Sequence, residues 1–240
     1  MPKKWLSEIL SINKEKWMCG RFAQVIKYQD LKKMTEELKI KESSEQLELN
    51  YNVAPTNIVA AVVAKDDWRY MGFFRWGLIP SWSKKIPEQA LINVRSESIL
   101  EKPSFKTSFL RRRCLIPANG FYEWRKTDKQ PFFIKAKGDN LLYLAGIYDA
   151  WYGPDGSYIP SLGIITTSAN DFIQPLHERM PLLLNPSLYD TWLNPAAQNP
   201  QELQLLLTVP SEIELEMYPV SRRVNKPENN DADCLKPIAH

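Results

Sequence analysis

Histidine and cysteine are scarce in this 240-residue chain, which has two His and three Cys. Cys19, Cys114 and Cys234 form no CxxC pair, and their only imidazole companions are His177 and His240, so neither a structural zinc site nor a disulfide framework is expected. No apolar run reaches the roughly 18 residues of a membrane span. The opening MPKKWLSEILSINKEKW places two lysines before apolar positions but interrupts them with Ser, Glu and Asn, unlike the unbroken apolar core of a signal peptide. A reducing cytoplasmic setting follows as the default. Glycine is sparse as well, 9 against 18 Pro, and no internal repeat, low-complexity segment or linker divides residues 19 to 222. Residues 1 to 18 read as a leader, 19 to 222 as one domain, and 223 to 240 as a polar tail.

Net charge is also small, +3 from 31 Lys plus Arg and 28 Asp plus Glu, which taken alone argues against a polycation or an acidic tail. The total conceals an asymmetry. Residues 65 to 137 hold 16 Lys or Arg against 7 Asp or Glu, a local +9, and the remainder sums to −6. Lys102, Lys106, Arg111, Arg112 and Arg113 lie within the positive third, interleaved with aromatics from Trp68 to Trp124. Cations among aromatic faces suit single-stranded nucleic acid, in which bases stack while the backbone is neutralised. The same residues equally suit a sheet core with solvated edges.

Strand-forming runs dominate after a helix whose apolar spacing is Leu31, Met34 and Leu38, with Asp30 as its expected N-cap. They are Ile58 to Ala64, Trp68 to Trp76, Ala90 to Val94, Cys114 to Ala118, Phe132 to Ala136, Leu141 to Trp151 and Ser161 to Thr167. Turn chemistry at Lys137-Gly138-Asp139-Asn140 and Gly153-Pro154-Asp155-Gly156 separates several of them. Such closely spaced strands favour an antiparallel or mixed sheet. Helices return at Ser187 to Leu193 and Gln201 to Leu207, each after a proline suited to a helix start.

Five residues stand out for chemistry. Cys19 lies at the junction of leader and domain, next but one to Arg21; it reads either as an accessible, activated thiol or as a small buried hydrophobe. His177 is the only histidine outside the tail and suits a proton shuttle. Glu123, flanked by aromatics in GFYEW, is a partly desolvated acid or base, or else a strand carboxylate paired with a cation. Asn93 and Arg95 alternate on a strand pattern and share a face, where they can hold a phosphate or carbonyl or satisfy a buried loop.

In order, the phrases MCGRF, YNVAPT, RWGLIPSW, INVRSES, CLIPANGFYEW, LAGIYDAW, IITTSAN and HERMP resemble the SOS response-associated peptidase family, which includes DNA-repair proteins that bind abasic sites. The likeness spans about residues 18 to 222. It implies a single α+β domain around a mainly antiparallel, barrel-like β core with peripheral helices, monomeric, needing no metal or organic cofactor. The implied partner is single-stranded DNA containing an abasic site, and the implied activities are a thiol (auto)peptidase and a lyase-like covalent DNA adduct. In the family an N-terminal cysteine closes a thiazolidine ring with the lesion aldehyde. Carried onto this chain, the resemblance makes Cys19 the nucleophile, Glu123 and His177 the acid/base pair and Asn93 an orienting residue. Arg21, Arg95 and Arg179 are implied phosphate contacts; Asn52, Pro55, Trp76 and Trp124 would shape the pocket.

The front of the chain departs from that pattern. As written, the Cys19 nitrogen is an amide behind seventeen residues and Met18, so a thiazolidine requires removal of the leader or a start at Met18.

Overall fold

The computed structural model describes residues 19–42, 47–66, 68–138 and 140–238. The leader and Asp139 of the Lys137 to Asn140 turn lie outside the described residues. In chain order the elements are β1 (Phe22–Gln24), α1 (Tyr28–Glu37), β2 (Ile40–Glu42), β3 (Asn50–Val53), β4 (Ile58–Lys65), β5 (Trp68–Trp76), β6 (Asn93–Arg95), α2 (Pro103–Arg111), β7 (Arg113–Ala118), β8 (Gly120–Trp124), β9 (Pro131–Ala136), β10 (Leu142–Tyr152), β11 (Tyr158–Ser168), β12 (Arg179–Pro181), α3 (Tyr189–Leu193), α4 (Pro200–Leu206) and β13 (Leu215–Pro219). Short 3-10 turns lie at Ser96–Ser98, Pro186–Leu188, Arg222–Asn225 and Ala232–Leu235.

Strands β5, β4, β7, β10 and β11 pair antiparallel in that order. A short parallel pairing, Ser161 opposite Arg75 and Leu162 opposite Trp76, then joins β11 to β5 and closes a five-stranded ring. Closure removes the free edges that an open sheet would expose. A second, antiparallel sheet runs β13-β9-β8-β1-β3. The fold is α+β in a single domain: the pairing is mainly antiparallel, as the closely spaced strands favour, and the core is barrel-like, as the family resemblance implies.

Period-2 alternation sorts the core into layers. Val59, Ala61, Val63, Cys114, Ile116, Leu142, Leu144, Leu162 and Ile164 share an apolar layer with Phe22, Phe121 and Ile134 of the second sheet. The intervening residues, among them Val62, Leu115, Ala145, Ile147 and Ile165, pack under the helices against Met34, Leu38, Phe109, Trp192 and Leu203. Gln24, itself buried, ties the two sheets: its amide donates to the Ala60 and Pro117 carbonyls and accepts from the Ala60 N–H.

Helix α1 begins earlier than its sequence suggests. Lys27 is the N-cap, and Asp30 sits at the third helical position, where Oδ2 accepts from the Lys27 N–H at 2.9 Å, so the acidic side chain caps from within the first turn. Helix α2 is legible in retrospect from Pro103 at its start and the i,i+4 pair Phe105 and Phe109, both buried. The stretch that reads as a polar tail folds back on the second sheet. Val224 and Cys234 are fully buried there beside Tyr122 and Phe133, and Val220 bridges to Pro237. Its polar composition misled because Asn and Asp side chains there accept backbone N–H bonds, as Asp231 does from Asp233 and Asn230 from Tyr51.

Candidate active site

Strand β8 carries Glu123 on the same side as Phe121, which fills the apolar layer, while Tyr122 faces the opposite way onto Phe133. Alternation therefore delivers a carboxylate to the margin of a dry layer. Gly120 lets β8 approach β9 so closely: a Cβ there would collide with the Ile134 carbonyl oxygen and the Phe133 ring. Glu123 is 3% exposed, and burial pushes its pKa up to about 7 despite the hydrogen bonds it accepts from Cys19 and Trp124.

Cys19 precedes β1, which lies beside β8 through the pair Phe22 and Phe121. Its backbone N–H donates to Glu123 Oε1 at 3.0 Å, and its Sγ lies 3.7 Å from the Arg179 carbonyl oxygen. Cys19 holds a left-handed backbone, φ 47°, uncommon for a residue with a Cβ. Its thiol is buried, and burial together with the Glu123 carboxylate raises its pKa well above the ordinary thiol value. An Arg21-activated thiolate is therefore not what the structure holds. The Arg21 guanidinium is turned to Asn52 Oδ1 at 2.7 Å and to the carbonyls of Val224 and Asn225.

His177 is half-buried, and its Nδ1 accepts the Arg179 N–H at 3.0 Å and lies 3.3 Å from the Arg179 carbonyl oxygen. Burial lowers its pKa, leaving a neutral ring at pH 7 whose Nε2 bears the proton when Nδ1 accepts. The backbone of one residue, Arg179, thus faces both Cys19 and His177. The Arg179 guanidinium is spread against Glu97, at 2.5 and 2.9 Å, with a further bond to the Thr166 carbonyl at 2.6 Å.

Asn93 and Arg95 lie on β6, opposite Ile164 and Thr166 of β11, with the buried Val94 between them, so they share a face as their alternation requires. Because Thr166 also pairs with Pro181 of β12, Arg95 and Arg179 flank one strand end. Arg21, Asn52 and Trp124 form a second group around the C-terminal segment. Asn52 Nδ2 donates to the carbonyls of Val224, Lys226 and Asn229, and Trp124 Nε1 donates to Asn225 Oδ1 at 2.7 Å. Pro55 is half-buried in the turn before β4. Trp76 is a core residue: fully buried, edge-on to Phe22 at 5.0 Å, its indole N–H donating to the Ile92 carbonyl. Sequence reasoning missed Glu97 and Asn225; only the position of Glu97 within INVRSES pointed toward it.

The positive third is partly answered by the negative remainder. Arg69 pairs with Asp190, Arg112 with Asp149, Lys126 with Glu178, Lys135 with Glu216 and Lys137 with Glu214. Arg113 is buried, donating to the carbonyls of Phe109, Leu110, Trp192, Asn194 and Ala197. Exposed cations of that stretch include Lys84, Arg95, Lys102, Lys106 and Arg111. Of its aromatics, Phe74, Phe105, Phe121 and Tyr122 are core, whereas Phe73 and Trp82 are exposed.

A buried thiol whose own nitrogen donates to a carboxylate of raised pKa, and which shares the Arg179 carbonyl with a neutral imidazole, makes this cluster the candidate site. Residues 18–227 match the family described as SOS response associated peptidase (SRAP). The chain belongs to that family. It is 38% identical over 226 residues to the Abasic site processing protein YoqW of Bacillus subtilis (strain 168), covering 91% of this chain and 99% of that one. It is likewise 38% identical over 230 residues to the Abasic site processing protein YoaM of the same organism, covering 93% and 100%. Among solved structures, a protein from Bacteroides thetaiotaomicron superposes with a TM-score of 0.78 at 25% identity, over 92% of this chain and 100% of that one. No helix among the described residues is long and apolar enough to cross a membrane, and those residues hold no cluster of three or more His, Cys, Asp or Glu suited to a metal.

Proposed function

We propose that this SRAP-family protein processes abasic sites, forming a covalent adduct between Cys19 and the lesion in single-stranded DNA. The relatives' names support the lesion class. The observation that carries the chemistry is the Cys19 N–H on Glu123 Oε1. Once the bond to Met18 is absent, the α-amine occupies that position. The amine adds to the C1′ aldehyde of the ring-opened sugar to give a carbinolamine, whose hydroxyl leaves as water when protonated by Glu123. A carboxyl poised near pH 7 is matched to that proton transfer. The Cys19 thiol then adds to the imine carbon, its proton passing to the nitrogen, and the five-membered thiazolidine closes. His177 assists opening of the sugar, its Nε2 moving the proton, and Asn93 orients the deoxyribose. Arg95 and Arg179 contact the flanking phosphates.

A peptidase reading acting on the bond before Cys19 draws on the positive φ of that residue, a strained conformation of the sort that accumulates at reactive sites. The raised thiol pKa weighs against a standing thiolate–imidazolium pair. The first reading is preferred for that reason.

The protein, with and without residues 1 to 18, is incubated with single-stranded oligonucleotides that do or do not contain an abasic site, then denatured. A heat-stable shifted band is expected only from the lesion strand and only when intact mass shows Cys19 at the terminus. A stable band from protein that retains its leader overturns the thiazolidine. Peptide cleavage lost on Cys19→Ala, with no band, supports the peptidase instead.

A further inference from the structure

Glu97 stands in the turn after β6 and meets Arg179 through both carboxylate oxygens, Oε1 to Nη1 at 2.5 Å and Oε2 to Nη2 at 2.9 Å. The two partners differ in access: the Arg179 side chain is 13% exposed and that of Glu97 51%. The anion thus faces outward, on the wall of a cleft of about 380 Å³ also lined by Ser168, Met180 and Thr208, while the cation lies behind it. An exposed ion pair contributes little to stability. A two-pronged pair on a mostly buried guanidinium does something else, because its planar geometry fixes orientation.

What it fixes is the residue whose backbone meets both reactive side chains. The Arg179 N–H reaches His177 Nδ1 and the Arg179 carbonyl receives the Cys19 thiol, so a displacement of the Arg179 backbone, whose Cα joins the two peptide units, disturbs both interactions. A third restraint on the same guanidinium, the Nη2 bond to the Thr166 carbonyl, points it back along β11 rather than outward. Glu97 also cancels the charge that Arg179 would otherwise show to a nucleic acid, so a backbone phosphate must compete with a carboxylate to engage it.

We propose that Glu97 is a positioning residue: it clamps the Arg179 guanidinium, keeps the Arg179 backbone N–H and carbonyl aimed at His177 and Cys19, and masks the arginine's charge until a phosphate displaces it. The proposal deepens the adduct reading and rests on it for its functional meaning, but both of its measurable consequences precede any adduct.

Glu97→Gln removes the charge and keeps the shape; Glu97→Asp keeps the charge. The first readout is non-covalent binding of an undamaged single-stranded oligonucleotide across a salt series. Freeing one cation steepens the slope of log K against log salt by about 0.7 in Glu97→Gln, and Glu97→Asp stays with the wild type. The second is the ring 15N resonances of His177 in the DNA-free protein, with His240 as internal reference. They shift in Glu97→Gln and return toward wild type in Glu97→Asp. An unchanged slope overturns the masking, and unchanged His177 resonances overturn the positioning. Whether the wild type forms an adduct is measured separately, so failure of that reading leaves both readouts decisive.

Discussion

The backbone N–H of Cys19 donates to Glu123 Oε1 at 3.0 Å, and that carboxyl titrates near pH 7 because it is buried. The chain thereby places an acid of neutral pKa against the one nitrogen that an N-terminal cysteine would use as a nucleophile. The arrangement depends on the alternation of GFYEW, which turns Phe121 and Glu123 to one side and Tyr122 to the other.

This burial has a thermodynamic signature. Glu123 has a folded pKa of about 7 against an ordinary 4.5, so between those values the folded state binds the extra proton. Stability from this group is complete below pH 4.5 and is lost as pH rises through 7, by about 3 kcal/mol at 1.36 kcal/mol per unit. Glu123→Gln removes the titration. In denaturant melts the variant is expected to be more stable than wild type at pH 8 and to lose that advantage by pH 4.5. Parallel stability curves at the two pH values would contradict a buried, titrating Glu123.

Charge reading of the RRR run separates by burial. Arg113 donates to five carbonyls from inside the protein, whereas Lys106 and Arg111 are exposed. Arg113→Met strands those acceptors and is expected to cost about 3 kcal/mol or more, with the salt slope of DNA binding unchanged. Replacing Lys106 and Arg111 by Gln is expected to leave the melt within about 0.5 kcal/mol and to flatten the slope by about 0.7 for each phosphate that is no longer neutralised. Melts and salt titrations on the two variants check both halves.

Much of the fold was legible because strand periodicity is local: β4 and β5 match their sequence runs to within a residue. The candidate site was legible through motif resemblance, and its chemistry only in part. That Cys19 is held as a thiol, and that Arg21 turns away from it, follow from contacts with residues more than a hundred positions distant, Glu123 and Val224, which no local pattern encodes. The same holds for the chain end, whose polar composition hides a segment fastened by Arg21, just before β1, and by Asn52 of β3.

That fastening yields its own prediction. Asn52 donates to the carbonyls of Val224, Lys226 and Asn229 and accepts from Arg21, an arrangement in which one amide uses nearly all its capacity. Asn52→Ala leaves those partners without it and is expected to cost about 2–3 kcal/mol. Amide hydrogen exchange is expected to rise across residues 222 to 235 before the barrel strands respond, because the segment opens locally. Uniform acceleration through the barrel would mean that Asn52 supports the whole fold rather than the chain end.

Trp76 tests the distinction between pocket and core most directly. Its motif resemblance assigns it to the DNA pocket, yet its ring is fully buried against Phe22 and its N–H is committed to the Ile92 carbonyl. Trp76→Ala therefore opens a cavity and orphans a buried acceptor, for an expected loss of about 3–5 kcal/mol. A base-stacking tryptophan would behave oppositely, because its removal weakens single-strand binding by about 1–3 kcal/mol with little change in the melt. Trp82, 64% exposed, provides the control, since its replacement by Ala is expected to leave stability within about 0.5 kcal/mol. Denaturant midpoints and oligonucleotide affinities measured on both variants separate the roles, and a Trp76→Ala protein of wild-type stability would show that the ring is not a structural element of the barrel.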